Sequence, residues 1–170
     1  MKHWAQVLIF ALLTLAVLFF IFYNSAQPRE TSASFSEKVV KVTKPIVDPK
    51  DKIPEPTFHH YVRKTAHFTE YAALGFCYMG LSDGFLWQKR RRLRWILPIA
   101  AAALTAAVDE LSQFLSIDRG PGVRDVLLDT VGAAFGVAVL LILARLLRHG
   151  KHSKSAQHPP QRNSRSPFRR

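Results

Sequence analysis

Arg63, His67, Glu70 and Tyr71 stand at i, i+4, i+7 and i+8, a spacing that brings their side chains onto one stripe of a helix. Two cationic groups, a carboxyl and a phenol on one stripe can hold an anion and move a proton. The segment from Arg63 to Tyr71 opens an apolar run that continues through Ala72, Leu74, Phe76, Tyr78 and Leu81. Ionisable groups that enter such a segment are costly unless they face a partner or a wet cavity. Anchoring at lipid headgroups is the plain alternative for Arg63 and above all for Lys64, whose stem can snorkel. His67 and Glu70 lie further in and cannot reach as far.

Two more polar groups flank later apolar blocks. Asp109, Glu110 and Gln113 fall late in the block from Trp95 to about Ile117, and Arg119, Arg124, Asp125 and Asp129 surround the glycine-proline turn and the start of the last block. The elements that must carry them are membrane helices. Of 170 residues 48% are hydrophobic, yet the net charge is +12, and the two properties are segregated into apolar blocks and basic connections. The basic residues therefore mark membrane orientation rather than a nucleic-acid surface. Cys77 is the one cysteine, so no disulfide forms within the chain.

The first block, to Tyr23, starts at Trp4 and is long enough at ~1.5 Å per residue to cross ~30 Å of hydrocarbon. It reads as an uncleaved anchor, because its apolar core is long and Asn24-Ser25-Ala26 is a poor cleavage site. Residues 24–60, with five prolines (Pro28, Pro45, Pro49, Pro54 and Pro56), read as an aqueous loop. Within it Ser34–Lys44 has an imperfect amphipathic pattern, suited either to a short surface helix or to a frayed linker. The second block spans about Val62 to Leu81. The cation-dense Gln88–Arg94 loop after it is cytoplasmic by the positive-inside rule.

The third block has Pro98 in its first turn and a small-residue run suited to close packing. The fourth runs from about Val126 to Leu147 and holds Gly132 and Gly136 as a GxxxG pair, which permits close helix approach within this chain or in a dimer. The basic tail, 148–170, has little apolar content and reads as disordered, with anionic headgroups as its natural contact. The expectation is an all-α, integral membrane four-helix bundle with both termini cytoplasmic. Its parts are a first helix over 1–23, an extracytoplasmic loop over 24–60, a three-helix core over 61–147 and the tail.

That topology sets all three polar groups at one level, in a pocket open to the outer leaflet. Arg63, Arg119 and Arg124 could there hold an anionic headgroup while His67 and Glu70 or Glu110 serve as base and acid. His67, Glu70, Glu110 and Asp125 also offer metal-ligand types, though no HExxH or comparable spacing is present. Proton relay or transport is a third class, without the internal repeats of most transporters. A charge-neutralised network that simply joins helices is the fourth. The five acids Glu70, Asp109, Glu110, Asp125 and Asp129 exceed what packing needs.

Arg63-Lys64-x-x-His67-Phe68-x-Glu70-Tyr71, Asp109-Glu110-x-x-Gln113 and Arg124-Asp125-Val126-Leu127-Leu128-Asp129-Thr130-x-Gly132-Ala133 together resemble the VanZ-like family of small bacterial membrane proteins, over about Tyr61 to Leu147. The family takes its name from a protein associated with low-level resistance to teicoplanin. The resemblance implies a multi-pass protein of the cell membrane with a role in the envelope. Its partners would be membrane lipids or a lipid-linked wall precursor; no cofactor and no oligomeric state is implied. The characteristic polar residues carry over to Arg63, Lys64, His67, Glu70, Tyr71, Asp109, Glu110, Gln113, Asp125 and Asp129. The chain departs from the pattern at Asp118-Arg119-Gly120-Pro121-Gly122, where relatives often read Gly-Arg-Ser-Gly. It departs again at Asp129, where relatives often have Asn. A role for that serine or amide does not transfer. The function so implied is binding or modification of an anionic lipid or lipid-linked wall precursor, with catalytic work at His67, Glu70, Glu110 and Asp109 and binding at the remaining polar residues.

Overall fold

The computed structural model describes residues 2–27, 29–86, 93–114 and 122–156. Among them every regular element is helical: α1 Lys2–Ser25, α2 Arg29–Val47, α3 Glu55–Leu86, α4 Leu93–Phe114 and α5 Val123–Ala156. The basic loop 87–92, Arg119, the side chain of Gln113 and the end of the tail, 157–170, lie outside the described residues.

Three helices are long and apolar enough to cross a membrane, over His3–Ser25, Leu93–Ser112 and Val123–Leu147. α3, expected to be a fourth span, is not among them, because its polar first half lowers its hydropathy. Its second half is enclosed. Leu74, Gly75, Cys77, Met79 and Gly80 are all buried, and at 100° per residue they cover every side of the helix, the pattern of a helix surrounded by others. α3 contacts α1, α2 and α4, and its backbone meets α5 as well.

That last contact explains the GxxxG pair. A Cβ on Gly132 would lie 2.6 Å from the carbonyl oxygen of Phe68, and one on Gly136 would collide with the carbonyl of Ala72. The glycines thus serve packing inside the chain, where α5 rides on the backbone of α3. Phe68 and Phe135 pack beside them with ring centroids 5.8 Å apart.

α1 turns one stripe inward. Val7, Phe10, Ala11, Thr14, Val17, Leu18 and Ile21 are buried or half-buried, a recurrence of three and four residues that keeps one seam against its neighbours. Leu8, Leu12, Leu15 and Phe19 on the other side are exposed, as a lipid-facing surface would be. α4 buries Pro98, Ala102 and Ala106 in the same manner, and its small side chains let Tyr78 reach across to Thr105, 3.2 Å between hydroxyl oxygens. At the start of α4, Ser82 Oγ donates to the Arg94 carbonyl at 2.8 Å, and Arg94 Nε lies 3.0 Å from Asp83 Oδ1.

Three boundaries differ from the expectation. Residues 24–60 are largely helical rather than loop. α2 covers and exceeds the amphipathic Ser34–Lys44, with Glu37 and Lys41 paired one turn apart at 2.8 Å. That pairing holds the Glu37 carboxyl below its ordinary range and raises Lys41. α2 packs on α3, with Val40 buried. α3 starts at Glu55, seven residues ahead of its apolar run, because Pro56 suits a first helical turn that needs no N–H donor and Glu55 complements the helix dipole. Between them Asp48 accepts from the Ile53 N–H at 2.6 Å and Lys44 pairs with Asp51 at 2.5 Å. Finally, helix continues past Leu147 to Ala156, into the stretch expected to be disordered, since propagation needs little once a helix is formed and no proline intervenes before Pro159.

Gly136→Ala should drive α3 and α5 apart. Overpacking of this kind costs roughly 1–3 kcal/mol, so the unfolding midpoint in detergent should fall clearly, while Val131→Leu on the exposed face of α5 leaves it unchanged.

Candidate functional site

Four helix ends carry the polar residues. α1 and α4 bring their C-terminal ends, α3 its first half and α5 its first turns. Lys64 on α3 bonds Asp125 on α5. The Asn24 amide at the end of α1 donates to Glu70 Oε1 at 3.0 Å, and Ser25 Oγ donates to Asp109 Oδ2 at 2.9 Å. The backbone N–H of Gly122, just before α5, donates to Glu110 Oε2 at 3.0 Å. These bonds link α1 to α3, α1 to α4, α3 to α5, and α4 to the approach of α5.

Each placement follows from a packing stripe. On α4, Asp109 continues the buried series Pro98, Ala102, Ala106 and is itself 1% exposed. Glu110 beside it is 8% exposed. On α3 Tyr71 stands one turn before the buried Leu74 and Gly75 and has no exposed surface, and on α5 Asp129 is 2% exposed, one turn before Gly132 and Ala133. Gly75 meets the backbone of Ala133, so Tyr71 and Asp129, one turn before them, lie level where α3 and α5 pack.

Cations lie further out. Arg63 and His67 are half-buried, Arg124 is exposed, and Lys64 is taken up by Asp125. The arrangement is an acidic interior with a basic rim. Buried carboxyls need donors, since an acceptor left unmet inside a fold costs about 1–3 kcal/mol. Asn24, Ser25, Gly122 and Lys64 supply four. Two buried atoms find none among the described residues: the hydroxyl of Tyr71 and Oδ1 of Asp129.

The sequence-predicted residues His67, Glu70, Tyr71, Asp109, Glu110, Lys64, Asp125 and Asp129 thus sit at one end of the described helices, with Arg63 and Arg124 beside them. Arg119 and the side chain of Gln113 fall outside the described residues. Among the described residues no three His, Cys, Asp or Glu side chains are arranged to hold a metal ion, so His67, Glu70, Glu110 and Asp125 are not gathered as ligands. Two members escaped sequence reasoning. Asn24 and Ser25 look like the polar margin of a loop, yet they prolong the inward seam of α1 by three and four residues beyond Ile21, the signal that marks them as part of the interior.

Apolar helices that converge on ionisable groups at one of their ends define a membrane protein with a polar site built from several helices. The VanZ/LLP1 family model matches residues 10–145, and the chain belongs to that family. The match includes most of α1, so the first helix is part of the family's unit and not an appendage to a three-helix core. No match is found among curated relatives or among solved structures.

Asn24→Leu should strand Glu70 without its donor and cost about 1–3 kcal/mol, seen as reduced membrane abundance and a lower unfolding midpoint. Tyr23→Phe, at an exposed neighbour, should behave as wild type.

Proposed function

We propose that the protein binds, and acts on, an anionic amphiphile of the cell envelope, either a lipid or a lipid-linked wall precursor, at the polar end of its helices. What supports this reading is that Glu70, Asp109, Glu110, Asp125 and Asp129 come from three helices at one end of the described fold, with Asp109, Glu110 and Asp129 more buried than Arg63, His67 or Arg124. The basic Gln88–Arg94 loop and tail favour a cytoplasmic position for the opposite end, which would turn the polar end towards the outer leaflet. In that arrangement α3 is the fourth membrane span, shielded by α1, α4 and α5, and both termini are cytoplasmic.

In this reading Arg63 and Arg124 hold the headgroup's anion through paired N–H donors. His67 is the base that takes a proton from the reacting group. Glu70, held by Asn24, or Glu110, held by the Gly122 N–H, is the acid that returns one. Acting on a wall precursor would alter susceptibility to glycopeptides such as teicoplanin. The interhelical bonds of Glu70, Asp109, Glu110 and Asp125 favour a second reading, a non-catalytic scaffold in which the same groups hold the helices together.

Chemistry tolerated at Glu70 separates the two. His67→Ala and Glu70→Gln, compared with wild type at matched membrane abundance, should each reproduce the deletion strain, with one envelope species accumulating and glycopeptide susceptibility changed. Wild-type lipid and wall-precursor profiles in both variants would make the cluster architecture.

A further inference from the structure

The two unmet atoms differ in kind. Tyr71 has no exposed surface and Asp129 is 2% exposed, and neither the phenol oxygen nor Asp129 Oδ1 has a partner among the described residues. Where α3 and α5 pack, Gly75 meets the backbone of Ala133, and Tyr71 and Asp129, each four residues earlier, lie level on the two helices. The phenol has a proton to give, and the carboxylate oxygen has room for one.

A group that answers both must accept from one side and donate to the other. Phosphate and carboxylate, when ionised, only accept, and would sit among four carboxyls. Ammonium only donates. A hydroxyl does both. The anion of a ligand is thereby kept out at Arg63 and Arg124, which are less buried than Asp109, Glu110 or Asp129, and the part that enters is uncharged and hydroxylic.

From this complementarity we infer that the substrate class is a phosphate-bearing amphiphile with free hydroxyls on its headgroup, one of which is received between Tyr71 and Asp129. The inference rests on the anion-binding reading above and narrows it. Its two natural sources share this chemistry: the glycerol headgroup of phosphatidylglycerol, and the sugar of a polyprenyl-diphosphate-linked precursor. A single buried water could bridge the same atoms, and the experiment separates that case.

The full chain is purified into nanodiscs of phosphatidylcholine, and retention of added probe lipids is measured by native mass spectrometry. The probes are phosphatidylglycerol, phosphatidic acid, which keeps the phosphate without the headgroup hydroxyls, and a polyprenyl-diphosphate disaccharide. Wild type should prefer at least one hydroxylic probe over phosphatidic acid by about tenfold, the scale of one or two hydrogen bonds. The probe that shows the preference identifies the source. Tyr71→Phe and Asp129→Leu, which remove the donor and the acceptor in turn, should each erase the preference while binding phosphatidic acid as wild type does. Equal retention of phosphatidic acid and both hydroxylic probes by wild type would overturn the hydroxyl inference and leave the anion site standing. A preference that survives in both variants would also overturn it, leaving the two atoms to an internal water. If no anionic probe is retained above phosphatidylcholine, the anion-binding reading fails and the inference falls with it.

Discussion

The structure depends on what covers the first half of α3. Arg63, Lys64, His67 and Glu70 follow one another within two turns, and hydrocarbon offers no partner to any of them. A helix of this kind is stable across a membrane only where other helices cover it. Covering it closely requires neighbours without bulk: Gly132 and Gly136 on α5, and Ala102 and Ala106 on α4. The small residues and the polar residues of this chain are therefore two sides of one requirement.

Close approach has a consequence at the polar end. When α5 lies on the α3 backbone at Gly132 and Gly136, Asp129 and Asp125, one and two turns before Gly132, come level with Tyr71 and Lys64. The Lys64 bond to Asp125 and the burial of Asp129 are then matters of register rather than separate inventions. The same holds on the other side of α3, where the α1 seam ends in Asn24 and Ser25 and delivers an amide and a hydroxyl to two carboxyls. α1, α4 and α5 each donate to the acidic interior or add to it.

Much of this was legible in the sequence because membrane segments are read from hydropathy and charge, which act over whole blocks. Three of the apolar blocks, their small-residue faces and the residues of the three motifs could be named before any coordinates. What was not legible is instructive. The starts and ends of helices were misjudged wherever the chain leaves the apolar block while remaining helical, at Glu55, at Asn24 and Ser25, and beyond Leu147, because hydropathy reports burial in lipid and not backbone conformation. The partition of the acids was hidden as well: Asp109, Glu110 and Asp129 are interior while Asp125 stays nearer the surface with Lys64, a distinction fixed by which turn faces which helix. Asn24 shows the limit most clearly, since a polar residue after an apolar block looks like an exit from the membrane whether it faces water or a buried carboxylate.

The bond pattern also bears on the choice between scaffold and site. A network whose whole purpose is to join helices gains most when every member is satisfied, because a half-satisfied buried network is worse than an apolar one. Here Glu70 is met by Asn24, Glu110 by the Gly122 N–H, and Asp125 by Lys64. The shortfall falls on two deeply buried groups, Tyr71 and Asp129. Replacing them by Phe and Leu would remove the penalty at little loss of volume, so packing alone gives no reason for a phenol and a carboxylate there. In the proposed reading, a hydroxyl from outside the chain completes them.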